Sequence, residues 1–108
     1  MKLYVDMSQV AFTVTQVAQE KQDEKGRQKA DRNTGELLWV VQLLAIDSRD
    51  ERGGELLKVT VAGQPPKLAM GQAVTPAELE AMPWATNGRS GVAFRAKSIT
   101  PAQAVKAA

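Results

Sequence analysis

Arg95 and Lys97 lie two residues apart in Gly91-Val92-Ala93-Phe94-Arg95-Ala96-Lys97-Ser98-Ile99. On a β-strand, residues i and i+2 face the same side. The segment therefore predicts Val92, Phe94 and Ala96 on a face that can be buried, and two cations on the other. Fixed positive charge on a stiff element is chemistry for phosphate, and it suits a polyanion better than a small-molecule pocket. Lys58 repeats the pattern: it shares a phase with Thr60, while Leu57, Val59 and Val61 take the opposite face. Arg89 stands just before this last strand, and Arg27, Lys29 and Arg32 lie in a charged stretch further upstream. A single-stranded nucleic acid also needs aromatic surfaces for its bases. Phe12, Phe94 and Trp39 sit in apolar runs and read as core. Trp84, beside Pro83, is the candidate platform, with burial at a barrel mouth as its other reading; Tyr4 is undecided.

Other chemistry has little to work with. The chain has no cysteine and no histidine, which removes disulfides, thiolate nucleophiles, imidazole acid–base chemistry and most zinc sites. No spacing of carboxylates marks an acid–base pair. The expectation is a protein that is not an enzyme and takes no cofactor, metal or small-molecule substrate. Charge is uneven: residues 1–55 hold eight basic and ten acidic side chains, and residues 56–108 hold six basic and two acidic. The later half would steer an anionic partner. No apolar run approaches the ~18–20 residues that cross a bilayer. The amino-terminal residues lack the apolar core of a signal peptide. The chain is thus expected in the cytoplasm, with no membrane partner.

At 108 residues, 44% of them hydrophobic, the chain can bury one modest core. The elements that must position the cations read as strands. Val10 to Val17 is rich in β-branched residues, and Leu3, Val5 and Met7 alternate before it, which predicts one strand over about Lys2–Gln19 bent near Ser8-Gln9. Glu20 to Glu36 has ten charged residues, five of each sign, and no apolar period; it reads as a long, mobile hairpin loop. Leu37 to Asp47 is apolar on both faces, as in a central strand covered twice. Leu56 to Ala62 alternates. Residues 73–84 admit two readings: Thr75-Pro76-Ala77-Glu78 resembles a helix start, whereas a fourth strand would place Pro76 on an edge. Asn87-Gly88 is a tight-turn signal, and Pro101 to Ala108 should fray.

About five strands with short connections predict a small all-β barrel, since closure removes exposed edges. A five-stranded oligonucleotide-binding (OB)-like barrel over residues 1–101, with a tail at 102–108, is the leading candidate, and an SH3-like barrel its rival. The two-sided apolar Leu37–Ile46 run also makes a homodimer plausible.

Several segments carry a resemblance: Thr34-Gly35-Glu36-Leu37-Leu38-Trp39-Val40-Val41-Gln42-Leu43, Val59-Thr60-Val61-Ala62-Gly63, Pro83-Trp84, and Gly88-Arg89-Ser90-Gly91-Val92-Ala93-Phe94-Arg95-Ala96. Together they resemble small regulatory proteins of actinomycete plasmids and integrative elements, described as activators of replication, integration and excision. The resemblance implies a strand before Pro83-Trp84 and a cytoplasmic, non-enzymatic role in control of a mobile element. It leaves open whether such a protein touches DNA or another protein. With the cations above, the expectation is binding of single-stranded DNA through Lys58, Arg89, Arg95, Lys97, Trp84, Arg27, Lys29 and Arg32. The alternative is a protein-contact module without nucleic-acid affinity.

Overall fold

Period-two burial organises the chain. A computed structural model describes residues 3–49 and 53–102. Eight strands form one sheet: β1 Leu3–Tyr4, β2 Val10–Glu20, β3 Leu38–Asp47, β4 Glu55–Ala62, β5 Ala73–Ala77, β6 Glu80–Thr86, β7 Arg89–Ala96 and β8 Ser98–Pro101. The sheet order is β1-β6-β7-β4-β3-β2-β5-β8. Neighbours pair antiparallel except β4 and β7, which run parallel. The all-β expectation holds, but eight strands stand where alternation predicts five.

The difference arises where strands break. The expected first strand is two, because Met7 to Val10 closes a turn (Val10 N–H to Met7 O, 3.1 Å) in the Ser8-Gln9 region. Residues 73–84 are strand, as the second reading has it, but divided at Glu78-Leu79. Glu78 there adopts a left-handed backbone (φ 49°) and Leu79 points into the core, 1% exposed. Only Lys97 separates β7 from β8, and its N–H donates to Ala77 O at 2.9 Å. Both breaks thus fall side by side. There β7 leaves β4 and continues as β8 on β5, while β5 pairs back onto β2. The sheet curls into a barrel-like form around Phe12, Val14, Val41, Leu43, Val59 and Ile99. Register shifts after Val14 and Gln16 help β2 follow the curl.

Asn87 and Gly88 both have positive φ (51° and 76°) and link β6 to β7, the two-residue type I′ geometry that the Asn-Gly signal predicts. The expected fraying at Pro101 meets a pairing instead: Pro101 opposes Val74, and Ala102 N–H donates to Ala73 O at 2.9 Å. The remainder of the tail, 103–108, lies outside the described residues. No helix among the described residues is long and apolar enough to cross a membrane.

Candidate functional site

Pairing registers define an outer face. Val59 opposes Phe94 and Val61 opposes Ala96, all directed toward the core, so Thr60 and Arg95 between them point outward together. The row continues on both sides: Val40 lies beside Thr60, Glu80 beside Arg95, and Tyr4 beside Glu80. Lys58, paired with Gln42, is exposed on the same face, as its alternation predicts. Further along β6 and β7, Trp84 lies opposite Gly91 and Thr86 opposite Arg89.

The β6–β7 arm extends beyond the core. Val92 has the core phase yet is 49% exposed, which corrects the expectation that it is buried with Phe94 and Ala96. Trp84 takes its exposed reading. Its indole lies over Gly91, where a Cβ would stand 2.9 Å from Trp84 Cζ2 and 3.1 Å from Nε1. One indole surface therefore rests on backbone while 46% of the residue remains exposed. Arg89, at the tip of the arm, is exposed. Arg89 and Arg95 are six strand residues apart, about 20 Å.

At the other end the loop 21–37 folds against the face, so it is not the free hairpin expected. Lys21 N–H donates to Leu38 O (3.0 Å), Lys29 N–H to Lys21 O (2.7 Å) and Leu38 N–H to Lys29 O (2.8 Å). Bridges pair Gln22 with Gln28 and Ala30 with Leu37. The loop covers Leu38, which lies on the outer face yet is buried. Lys21 Nζ then reaches the outer face and donates to Thr60 Oγ1 at 2.9 Å. Burial lowers its pKa, and the charges of Lys29 and Arg95 lower it further.

Asp31 is the buried charged residue of this loop, 7% exposed. Its two oxygens have separate tasks. Oδ1 accepts the N–H groups of Asn33 (2.7 Å) and Thr34 (3.1 Å), making a tight turn that ends at Gly35. Oδ2 accepts from Arg95 Nη2 in an ion pair. Arg95, together with the two amides, holds the Asp31 carboxyl at about 2. The Arg95 guanidinium is thus not turned freely to solvent as expected: it ties β7 to the loop.

The predicted residues thus fall into groups. Lys29, Arg32 and Arg95 line one cleft of about 610 Å³ between loop and sheet, with Lys21, Asp23 and Asp31. Lys97 is exposed and lines an adjoining hollow that shares Asp31 and Arg95 with this cleft and also contains Glu78 and Glu80, so its charge is locally offset. Arg27 is solvent-directed and paired to Asp23 at 3.7 Å. Lys58 sits alone on the middle of the face, and Trp84 and Arg89 on the arm. Lys21 and Asp31 are site residues that the sequence pattern alone does not single out. Lys21 continues the β2 phase into the loop, and Asp31-Arg32-Asn33-Thr34-Gly35 is an Asx-turn sequence, which signals a carboxylate used structurally. Among the described residues no cluster of His, Cys, Asp or Glu suits a metal ion. No protein-family model, curated protein or solved structure matches the chain.

Proposed function

We propose that this protein is a non-enzymatic, DNA-binding accessory protein that holds single-stranded DNA on the outer face of β3, β4 and β7. The observation that carries this reading is the shared outward row of Thr60 and Arg95. It supports reading Lys58, Lys21, Lys29 and Arg32 as one surface with Trp84.

Its framework is an OB-like barrel. Counting β5–β6 and β7–β8 as one bent strand each, and setting aside the short β1 on β6, the pairings are compatible with a five-strand circuit: β2, β3, β4, β7–β8, β5–β6 and back to β2. In OB folds the second and third strands, with the loops after the first and fourth strands, bind oligonucleotides. The equivalents in this circuit are the outer face of β3 and β4, loop 21–37 and the Asn87-Gly88 turn. Lys58, Lys29, Arg32 and Arg89 supply backbone charge, Trp84 stacks a base, and Arg95 fixes the loop that frames the groove. Lys97 and Arg27 are peripheral to it. The resemblance of the Thr34–Leu43 and Gly88–Ala96 segments to plasmid and integrative-element regulators is what favours a role in replication control of a mobile element, in the cytoplasm.

A second reading has one observation in its favour. Leu44 pairs with Leu56 on the same outer face, and Leu56 and Ile46 are 57% and 44% exposed. This apolar end would serve a protein partner or a second copy of the chain.

Fluorescence anisotropy with labelled single- and double-stranded oligonucleotides, at about 50 and about 200 mM salt, separates the two. Tighter binding of the single strand, weakening steeply with salt, is expected. Absence of binding at the lower salt overturns the first reading and leaves the second.

A further inference from the structure

Resting on that reading, we infer that the Asp31 carboxylate occupies a phosphate subsite on Arg95, and that a bound polyanion displaces it. The subsite lies in the cleft between loop 21–37 and β7, whose walls include Lys21, Lys29, Arg32 and Arg95. Counting the adjoining hollow that shares Asp31 and Arg95, five cations (Lys21, Lys29, Arg32, Arg95 and Lys97) face four carboxylates (Asp23, Asp31, Glu78 and Glu80), a small excess of positive charge in a concave site. The crowding is felt by Lys21, whose ammonium is disfavoured by its burial and by the charges of Lys29 and Arg95.

The geometry leaves a route for displacement. Only Oδ2 of Asp31 engages Arg95, through Nη2, and 36% of the Arg95 side chain remains exposed. A guanidinium has five N–H donors in a planar fork that matches phosphate as well as carboxylate. When Arg95 turns to a phosphodiester oxygen, Asp31 keeps the Asn33 and Thr34 amides on Oδ1. The turn therefore survives, and the loss of the Oδ2 partner is the cost that the phosphate contact to Arg95 must exceed. In the unloaded protein Asp31 competes with the ligand for Arg95, which lowers affinity for weak or short anions and favours an extended strand that also reaches Lys58 and Trp84.

Asp31→Asn tests this directly. Asparagine retains the oxygen that accepts the two amides and removes the charge that holds Arg95. Binding of a fluorescein-labelled oligothymidylate is measured by anisotropy across a salt series. Amide hydrogen exchange at Asn33 and Thr34 reports on the turn. The expected result is an affinity about 3- to 10-fold higher than wild type, a salt slope steeper by about one, and unchanged protection of the two amides. Adding Arg95→Gln to D31N removes the gain. Equal or weaker binding by D31N, whether the turn is protected or lost, overturns the inference and makes the ion pair a staple of the loop. A gain that persists in the double variant overturns it too, because Arg95 is then not the subsite. If wild type binds and D31N shows no gain, the inference fails and the parent reading stands. If neither binds at low salt, both fail.

Discussion

Asp31 and Arg95 are 64 residues apart in the chain and form an ion pair in the fold, joining the β2–β3 loop to β7. The pair sets a pH dependence with a definite sign. Asp31 titrates at about 2 in the folded protein, against an ordinary value of 3.8. A carboxyl lowered on folding stabilises the native state fully above its unfolded value, and that contribution is lost as pH falls through the folded value. Asp6, lowered by the Ser8 amide, and Asp47, lowered by Arg49, act in the same direction. The urea midpoint should be level from neutral pH down to about 5 and then fall between about 4 and 2. Asp31→Asn should flatten part of that fall, and an identical acid profile in the variant would remove Asp31 from the account.

Trp84 tests the stacking surface. Because its indole rests on Gly91 and 46% of the residue is exposed, Trp84→Ala should leave the thermal midpoint nearly unchanged. Loss of a base–aromatic stack costs about 1–3 kcal/mol, so single-strand affinity should drop about 5- to 150-fold. Gly91→Val makes the complementary case. A Cβ at Gly91 lies within 3.0 Å of Trp84 Cε2 as well as Cζ2, so the indole must move. Emission of Trp84 should change, and affinity should fall although no cation or aromatic has been removed. Wild-type affinity in both variants would place the bases elsewhere.

The cations should not be equivalent. Lys58 stands on the middle of the outer face, Lys97 shares a hollow with Glu78 and Glu80, and Arg27 is paired to Asp23. Lys58→Ala is expected to weaken binding of all single-stranded sequences alike and to reduce the salt slope by about one. Lys97→Ala should do less and Arg27→Ala least. A salt titration of the three variants ranks them, and a larger loss at Arg27 than at Lys58 would move the binding path out to the loop tip.

These residues also show where the sequence was legible. Leu57, Val59 and Val61 against Lys58 and Thr60 is a period-two pattern that a half-buried strand requires, and Asn87-Gly88 gives the turn because type I′ geometry needs positive φ twice. Lys58 therefore emerges in the position that local pattern assigns, whereas Trp84, open between two readings, is settled as exposed by the fold. Arg95 has the expected face and an unforeseen intramolecular partner, Asp31. Its alternation with Phe94 and Ala96 fixes its direction, but the carboxylate that meets it is set by how a loop folds over three other strands. Local spacing does not encode that. The strand breaks escape for a related reason: Glu78 is an ordinary residue in a rare backbone state, stabilised by the burial of Leu79 beside it rather than by its own type.

That corner yields the last prediction. A left-handed backbone costs an L-residue roughly 1–2 kcal/mol, and Glu78 has no Cβ relief at φ 49°. Glycine removes this strain and adds unfolded-state entropy of about 0.5–1 kcal/mol. Glu78→Gly should therefore stabilise the protein by about 0.5–1 kcal/mol, raising the thermal midpoint by about 2–8 °C for a chain of this size. Glu78→Val, β-branched at positive φ, should lower it. Leu79→Ala should cost about 2–5 kcal/mol, because a side chain 1% exposed is removed from the core at the point where β5 turns into β6. The three variants share one corner and differ in sign. If Glu78→Gly destabilises as Leu79→Ala does, then the Glu78 side chain, and not the backbone bend, is what that corner needs.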